Sequence, residues 1–455
     1  MIVFLDLRRG CLIFLILFGI SIVTSQQNGG ENIFKLRPGV ESDKLNFKLA
    51  NNLIVIPVSV NGEELSFILD TGVSSTIIFS LGDDKKLQLS NATKIYLRGL
   101  GDGEPVEAIK STGNTLEIGD AISANHTVYL IFDETIDFSP RMGFPIHGII
   151  GYDFFKNFIV DLKYSKEVIK ISNPKAYVAK KCRKCYQTSL DFNNGVRPYI
   201  KAQYGVDKRI DLNLLIDSGS GSALWLFENK TLGIKVPEDS YREFLGKGFN
   251  GDIHGARSKI KALHIGKFTM KRVTASFPDS VYIQGISTLQ RQGSLGGGVL
   301  KRFDLIVDYP DQKISFRKNR FFKQPFHYNM SGITVEHAGE RLTKVYTRED
   351  KIKPERIRSG QKANNAIVID YTFGYRYSME PNFEIVNVRP GSPAAHAGLK
   401  RGDRILSING KNAYEYQLEE INNLFFNKEG KRIRIVIDRA GVRLNYSFFL
   451  KKVIE

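Results

Sequence analysis

The stretches ILDTGVSSTIIF (68–79) and LIDSGSGSALWLF (215–227) decide the fold of this chain. In each, an apolar run ends in an aspartate, Asp70 or Asp217, which is followed by a hydroxyl residue and a glycine. An aspartate at the end of a buried strand is costly unless it is paired or used in chemistry. Two such motifs therefore indicate two related halves, each of which supplies one carboxylate.

The same order of features flanks both motifs. LIVIPVSV and the turn Asn61-Gly62 lead into the first motif, and PYIKAQYGV leads into the second. Further on, GIIGYDFFKNF (148–158) aligns with GSLGGGVLKRF (293–303). Alternating apolar residues and frequent glycine turns predict strands in both copies. We therefore expect a duplicated, mainly β architecture.

A twofold relation between the two copies would bring Asp70 and Asp217 together. At short range, two carboxylates do not both ionise easily and share one proton. The ionised group can then act as a base on a water molecule, while the protonated group polarises a peptide carbonyl. The alternative is that each aspartate only orders its own turn. It is less favoured, because both motifs end apolar strands at matched places in a repeat.

Residues 44–320 resemble a single-chain aspartic peptidase built from two retropepsin-like lobes. GIIG (148–151) and SLGG (294–297) resemble the hydrophobic-hydrophobic-Gly element behind each catalytic loop. The resemblance implies two pseudo-symmetric β lobes in a pepsin-like bilobed arrangement, with catalysis by Asp70 and Asp217. It implies that the loops are supported by Thr71, Gly72, Ser218, Gly219 and Ser220. The predicted domains are lobe 1 at 44–175, a linker with a CxxC motif at 176–190, and lobe 2 at 191–325.

The two loops differ directly after the motif glycine. In pepsin-like relatives a hydroxyl residue there can hold the outer carboxylate oxygen; Ser220 offers this to Asp217, whereas Val73 cannot offer it to Asp70. We therefore expect unequal carboxylates, with Asp217 the one that stays ionised.

A flap is expected to cover the site and exclude water. The glycine-rich turn at 97–107 is the candidate, with Gly99, Gly101 and Gly103 providing mobility, although it lacks the flap-tip tyrosine of pepsin-like enzymes. The equivalent turn at 244–254 is either a second flap or a surface hairpin.

Residues 326–455 are predicted to form a β/α domain of another kind, with a polar insert at about 340–372. NVRPGSPAAHAGLKRGDRILSINGK (387–411) resembles a PDZ domain in the permuted order found in bacterial envelope proteases. Such domains bind a peptide as an added strand beside a helix. Two segments are candidates for the carboxylate-binding loop, one at Ser331, Gly332 and Ile333 and the other at 373–375. The alternative is a domain that only packs on the catalytic unit.

The first 25 residues read as an export signal. Arg8 and Arg9 precede an uncharged apolar run from Cys11 to Val23, which is short beside the roughly 20 residues that span a bilayer. Cleavage is expected after Ser25, and the alternative is an uncleaved membrane anchor. The chain is therefore expected to be exported to the periplasm or to another extracytoplasmic location.

Three cysteines are too few for a disulfide framework. Cys11 lies in the signal segment. A single CxxC pair lacks the four ligands that structural zinc requires. In an oxidising compartment Cys182 and Cys185 are therefore expected to form a local disulfide, and no metal or other cofactor is expected.

The net charge and its distribution along the chain indicate which classes of partner to expect. The chain of 455 residues has a formal net charge of +17, but its cations are spread through every segment, so nucleic acid is not expected as a partner. The expected partners are peptide or unfolded protein substrates and a peptide or C-terminus at the PDZ domain; a membrane is expected only if the signal is retained. The sequence thus resembles exported bacterial aspartic endopeptidases that activate water through an Asp-Asp dyad. The alternative is a catalytically inactive bilobed peptide-binding envelope protein.

Overall fold

A computed structural model describes residues 32–81, 85–97, 106–132, 136–193, 195–248, 251–284, 290–347 and 374–454. These residues form two compact units. The first unit lies within Met1–Met330 and Lys451–Glu455, and the second within Ser331–Leu450. The predicted boundary of the tail domain at residue 326 thus differs by a few residues from the division in the structure, and the last residues of the chain return to the first unit.

Lobe 1 of the first unit is mainly β, as predicted. Its helices are the short segments α1 (Ser139–Met142) and α2 (Tyr152–Phe155). Its strands are β1 (Lys35–Leu36), β2 (Ser42–Asn46), β3 (Lys48–Ala50), β4 (Leu53–Val60), β5 (Glu63–Leu69), β6 (Thr76–Ile78), β7 (Ala92–Leu97), β8 (Val106–Ile118), β9 (Ala121–Ile131), β10 (Gly148–Ile150), β11 (Ile159–Lys163) and β12 (Val168–Ser172).

Lobe 2 repeats this pattern. It contains α3 (Gly297–Leu300) and a 3-10 helix at Ser280–Ile283. Its strands are β13 (Tyr186–Ser189), β14 (Tyr199–Tyr204), β15 (Ile210–Asp217), β16 (Leu224–Leu226), β17 (Ser240–Gly248), β18 (Gly251–Ile265), β19 (Phe268–Pro278), β20 (Gly293–Gly296), β21 (Phe303–Asp308) and β22 (Lys313–Lys318).

Strand pairing reveals the internal duplication directly. In lobe 1, β10 lies parallel to β5 and antiparallel to β6. In lobe 2, β20 lies parallel to β15 and antiparallel to β16 in the same way. The strands β6 and β9 are parallel, as are β16 and β19. The repeat in the sequence is therefore a repeat in topology.

A six-stranded sheet joins the two lobes, in the order β13-β22-β21-β11-β12-β2. Its middle pair consists of β11 from lobe 1 and β21 from lobe 2, which run antiparallel with Asp161 opposite Ile306. One apolar core continues through both lobes and includes Phe155 of lobe 1, which stacks on Tyr309 of lobe 2 at 5.3 Å between ring centroids. The lobes are thus fixed to each other by a shared sheet and a shared core.

The second unit is a six-stranded sheet with two short helices. Its helices are α4 (Pro393–Ala397) and α5 (Leu418–Phe425), with a 3-10 helix at Ala413–Glu415. Its strands are β23 (Ile333–Thr347), β24 (Gly374–Val388), β25 (Arg404–Ile408), β26 (Lys411–Asn412), β27 (Arg432–Arg439) and β28 (Val442–Phe449). Asn409 and Gly410 form a turn with positive φ, and Gly398 ends α4 in the left-handed conformation.

Two predicted irregular segments are partly strand. The last residues of the predicted linker at 176–190 form β13, which pairs with β22 at the edge of the shared sheet. The predicted polar insert at about 340–372 begins inside β23, because its first residues pair with β24, as Leu342 does with Met379. Cys182 and Cys185 form the predicted local disulfide.

Several predictions fall outside the described residues. These are the signal segment at 1–25, the flap glycines Gly99, Gly101 and Gly103, and the first residue of the segment 373–375. Among the described residues, no helix has the length and apolar character that a membrane span requires.

Candidate active site

The two motif aspartates occupy equivalent positions in the two lobes. Asp70 directly follows β5, and its backbone N–H donates to the Ile150 carbonyl at 2.8 Å. Asp217 is the last residue of β15 and lies opposite Gly296 of β20. Each aspartate thus lies where two parallel strands hold the backbone rigidly. Both side chains are fully buried.

The loops that carry the aspartates are bonded to each other across the interface between the lobes. The Thr71 N–H donates to Ser218 Oγ at 2.9 Å, and the Ser218 N–H donates to Thr71 Oγ1 at 3.1 Å. Each hydroxyl then donates to a carbonyl of the other lobe: Thr71 Oγ1 to Ile216 at 2.7 Å and Ser218 Oγ to Leu69 at 2.8 Å. The supporting positions predicted for Thr71 and Ser218 thus form one reciprocal network of four hydrogen bonds.

The motif glycines let the carboxylates approach. A Cβ on Gly72 would lie 3.2 Å from Asp70 Oδ1 and 3.6 Å from Asp217 Oδ1, so both carboxylates lie beside the same point. A Cβ on Gly219 would lie only 2.1 Å from Asp70 Oδ2. A side chain at position 219 therefore cannot coexist with the observed position of Asp70.

Hydrogen bonding distinguishes the two carboxylates. Asp70 Oδ1 accepts the N–H groups of Gly72 at 2.7 Å and Gly219 at 3.1 Å. Within the described residues, neither carboxylate oxygen of Asp217 has a well-formed hydrogen bond. Two N–H donors favour the ionised form of Asp70, so Asp70 is the more acidic partner.

The pKa values follow this difference. Burial raises the pKa of Asp70 to about 6, against the effect of the two N–H donors. Burial and then repulsion from Asp70 raise the pKa of Asp217 to about 8, although the Arg291 charge, the Ser220 N–H and the Ser294 hydroxyl act in the opposite direction. The expectation that Asp217 stays ionised is therefore wrong. The Ser220 hydroxyl forms no hydrogen bond with the Asp217 carboxylate. The N–H donors to Asp70 belong to the backbone, so the types of side chain in the sequence could not predict them.

Sequence reasoning missed a group of polar residues beside the pair. Arg291 is 4% exposed and donates through Nη2 to Ser294 Oγ at 2.6 Å and through Nε to the Gly293 carbonyl at 3.2 Å. Burial lowers the pKa of Arg291 to about 10 and lowers that of Arg197 as well. The side chain of Tyr199 lies close to both guanidinium groups and acts to raise the pKa of each.

A tyrosine from the shared sheet also reaches the site. The Tyr309 hydroxyl donates to the Thr71 carbonyl at 3.4 Å, and burial with the nearby Asp70 charge holds the Tyr309 pKa well above its usual value. In the sequence, Tyr309 stands out only as the last residue of DLIVDY (304–309), which resembles IVDLKY (159–164) of lobe 1.

The other predicted positions lie elsewhere. Ser331, Gly332 and Ile333 are buried at the start of β23, where the Ile333 N–H donates to Ser331 Oγ at 3.1 Å. On either side of residues 249–250, the described residues of β17 and β18 pair antiparallel, with a bulge after Phe244. In the part of the chain that the structure describes, no cluster of three metal-ligating side chains occurs.

Comparison with known proteins matches a segment of each unit to a family. Residues 56–154 match the family described as Aspartyl protease, and residues 384–439 match the PDZ domain family. The Bacillus subtilis carboxy-terminal processing protease CtpA is 38% identical over 65 residues, which is 14% of this chain and 14% of that protein. A crystal structure of an aspartic proteinase from Irpex lacteus is 12% identical and aligns with 62% of this chain and 99% of its own, at a TM-score of 0.40. On the family matches, the chain contains an aspartyl protease domain and a C-terminal PDZ domain.

Proposed function

We propose that the chain is an endopeptidase that hydrolyses peptide bonds with a water molecule activated by Asp70 and Asp217. One observation carries the proposal. Two fully buried carboxylates from equivalent loops lie beside one point, and Asp70 alone accepts two well-formed backbone hydrogen bonds. A pair with such different surroundings shares one proton, because burial raises both pKa values and repulsion from Asp70 raises that of Asp217 further.

The geometry assigns a role to each carboxylate. Ionised Asp70 takes a proton from the water as the water oxygen attacks the peptide carbonyl carbon. Protonated Asp217 donates its proton to the carbonyl oxygen, which gives a tetrahedral diol without a covalent enzyme adduct. Asp70 then gives its new proton to the peptide nitrogen while ionised Asp217 takes a proton from a diol hydroxyl, and the C–N bond breaks. The products are a carboxyl group and an amine, and the pair returns to its starting state, with Asp70 ionised and Asp217 protonated.

The test is cleavage of an unfolded protein by the chain and by Asp70→Asn and Asp217→Asn. Each substitution is expected to lower kcat by about 10³-fold or more, since the base or the acid is lost. Asp211→Asn is the matched control, because Asp211 is an exposed aspartate on the same strand as Asp217 and should keep full activity. Equal cleavage by all four proteins would contradict the mechanism. No cleavage by any of them would favour a peptide-binding protein.

We also propose that the second unit binds a peptide along β23. Protease and PDZ domains both bind peptide or protein chains. Within the described residues, β23 is the edge strand of its sheet, and α5 packs near it with Leu418, Ile421 and Phe425 buried. The segment from Ser331 to Ile333 leads into this strand. Binding of a fluorescent peptide to the full chain should weaken when its C-terminal carboxylate is amidated, and equal binding of both forms would contradict carboxylate capture.

Export is a further proposal, supported by the basic and apolar pattern of the first 25 residues. The expected result is a processed chain that begins after Ser25 in the extracytoplasmic fraction. N-terminal sequencing of the fractionated protein checks this, and an intact chain in the cytoplasm would contradict it.

A further inference from the structure

The side chains that surround the carboxylate pair differ between the two lobes. We call the set from each lobe its wall. On the side of Asp70 the wall is apolar. Leu53, Val55, Val73, Ile146 and Ile149 all belong to or pack against one hydrophobic cluster. This cluster surrounds the loop that carries Asp70, since Val73 lies in that loop and Ile149 pairs with Ile68 just before it.

Strand register identifies the equivalent wall of lobe 2. Val55 pairs with Ile68, and Tyr199 pairs with Leu215, each two residues before its aspartate. Tyr199 therefore stands where lobe 1 has Val55, and Arg197 stands where it has Leu53.

Register also fixes the remaining positions of this wall. Gly148 pairs with Phe67, and Gly293 pairs with Leu214, each three residues before its aspartate. Ser294 therefore replaces Ile149, and Arg291 replaces Ile146. Since Ser220 replaces Val73 as well, five apolar positions of lobe 1 have become polar in lobe 2, and two of them are cationic.

The charge of this wall is not balanced within the site. The pair of aspartates carries one negative charge in its singly protonated state, whereas Arg197 and Arg291 carry two positive charges. Among the described residues, neither guanidinium forms an ion pair with a carboxylate. Arg197 lies close enough to both aspartates for their Coulombic attraction to raise its pKa, so its charge acts on the carboxylate pair. One positive charge is therefore left over beside the cleft.

Part of this wall can be reached from solvent. Arg197 and Tyr199 are partly exposed, whereas Arg291 lies deeper at 4% exposure. Trp225, the cross-strand neighbour of Ser294, has an indole N–H without an acceptor in the described part of the chain. The wall thus contains two cations, one of them partly exposed, which suits an anionic guest.

We propose that the wall of lobe 2 formed by Arg197, Tyr199, Ser220, Arg291 and Ser294 is a pocket for an acidic substrate side chain next to the scissile bond, and that the wall of lobe 1 takes an apolar one. The inference rests on the proposed function. A peptide bond hydrolysed by water between the two carboxylates lies near their pseudo-twofold axis, so the side chains on its two sides meet equivalent walls. A guanidinium wall selects Glu or Asp, because a neutral residue there would leave a buried charge unpaired.

The first experiment is cleavage of a peptide library in which both residues around the scissile bond vary. The products should show Glu or Asp on one side and an apolar residue on the other. For a peptide with Glu at the selected position, kcat/KM should exceed that of its Gln twin by about 10- to 100-fold.

Substitutions of Arg197 test whether its positive charge causes the preference for Glu over Gln. Arg197→Gln should bring the Glu/Gln ratio close to one, whereas Arg197→Lys should retain part of it, because the charge remains. Lys271→Gln is the control, since it removes an exposed cation from β19 of the same lobe and should keep both activity and preference. A ratio near one in the unsubstituted chain, or an unchanged ratio in Arg197→Gln, would overturn the inference.

Binding separates this inference from the proposed function. Hydroxyethylene analogues of the Glu and Gln peptides, which cannot be cleaved, are titrated onto the full chain. Tighter binding of the Glu analogue that is lost in Arg197→Gln supports the pocket, even if no peptide is hydrolysed. In that case the endopeptidase proposal alone fails. Cleavage of both peptides at equal rates, with equal binding of both analogues, overturns the pocket and leaves the peptidase intact.

Discussion

At the scale of single residues, the site depends on unequal surroundings for two identical side chains. Asp70 receives two backbone N–H groups, and Asp217 receives none in a well-formed geometry. Backbone donors are placed by the loop and cost no side-chain entropy, so the difference is built into the fold. The glycines of the loops matter because they bring these donors and the opposite carboxylate within reach.

Gly219→Ala is expected to abolish activity by displacing Asp70. The added Cβ would lie 2.1 Å from Asp70 Oδ2, so the carboxylate or the loop must move. We expect kcat/KM to fall by at least 10²-fold and the free energy of unfolding to fall by about 1–3 kcal/mol. Peptidase assays and urea denaturation measure both. Gly246→Ala is the control, since a Cβ there meets nothing within 4 Å; equal effects of the two substitutions would contradict the steric argument.

Asp217→Asn is expected to stabilise the chain at high pH. In the wild type the folded state holds a proton on Asp217 up to about pH 8, whereas the unfolded chain releases it near pH 4. The folded state therefore loses stability as the pH rises from about 4 to 8. Asparagine removes this loss, so the variant should match the wild type at pH 4 and exceed it by on the order of a few kcal/mol at pH 8. Urea denaturation at both pH values measures this, and a pH-independent difference would contradict it.

At the scale of elements, the interlocked loops after β5 and β15 hold the lobes in register. Each hydroxyl of Thr71 and Ser218 both accepts from and donates to the opposite lobe. Such reciprocal bonds in a buried site act together, since the loss of one hydroxyl leaves N–H and C=O groups unsatisfied on both sides.

A double-mutant cycle of Thr71→Val and Ser218→Ala should show this coupling. Each single substitution is expected to cost about 1–3 kcal/mol of unfolding free energy. The double substitution should cost less than the sum by about 1 kcal/mol or more, because the second removal acts on a network that is already broken. Denaturant unfolding of the four proteins measures it. Thr71→Val combined with Ser315→Ala, in β22, should be additive, and additivity in both cycles would contradict the coupling.

The sequence predicted some of these elements and not others, for physical reasons. Asp70 and Asp217 were found because an acid after an apolar strand is conspicuous, and the repeat then predicted the paired lobes. Arg197 and Arg291 were missed because a cation in a β-rich chain is ordinarily solvated, and only strand register shows that they replace buried apolar residues. Asp217 was predicted to be more acidic than Asp70, and the structure gives the reverse order. Backbone N–H donors to a carboxylate cannot be recognised from residue types.

At the scale of the whole molecule, the second unit is an insertion in the first. The chain leaves at Met330 and returns at Lys451, whose N–H donates to the Met330 carbonyl at 3.3 Å. Residues after Lys451 belong to the first unit, where Ile454 is 4% exposed and its carbonyl accepts from Lys259 Nζ at 3.2 Å. The exit and return points are therefore neighbours within the first unit.

Replacement of Ser331–Leu450 by a short Gly-Ser linker should leave the first unit folded. Neighbouring ends need only a few residues to connect, and the shared core of the lobes is untouched. We expect a cooperative thermal transition within a few degrees of the full chain and cleavage of short peptides at an unchanged rate. Truncation after Met330 is the comparison, because it also removes Ile454 and should lower the melting temperature further. An aggregated linker variant would contradict the insertion.

The neighbouring positions of Met330 and Lys451 have one more consequence, which concerns self-digestion. A domain appended at a terminus is shed by a single cut in its connection. Here the polypeptide leaves the lobes at Met330 and returns to the first unit at Lys451. One nick inside the second unit therefore leaves its N-terminal fragment covalently joined to the lobes. Its C-terminal fragment ends in Lys451–Glu455, which contacts the lobes only noncovalently, for example through the hydrogen bond from Lys259 to the Ile454 carbonyl.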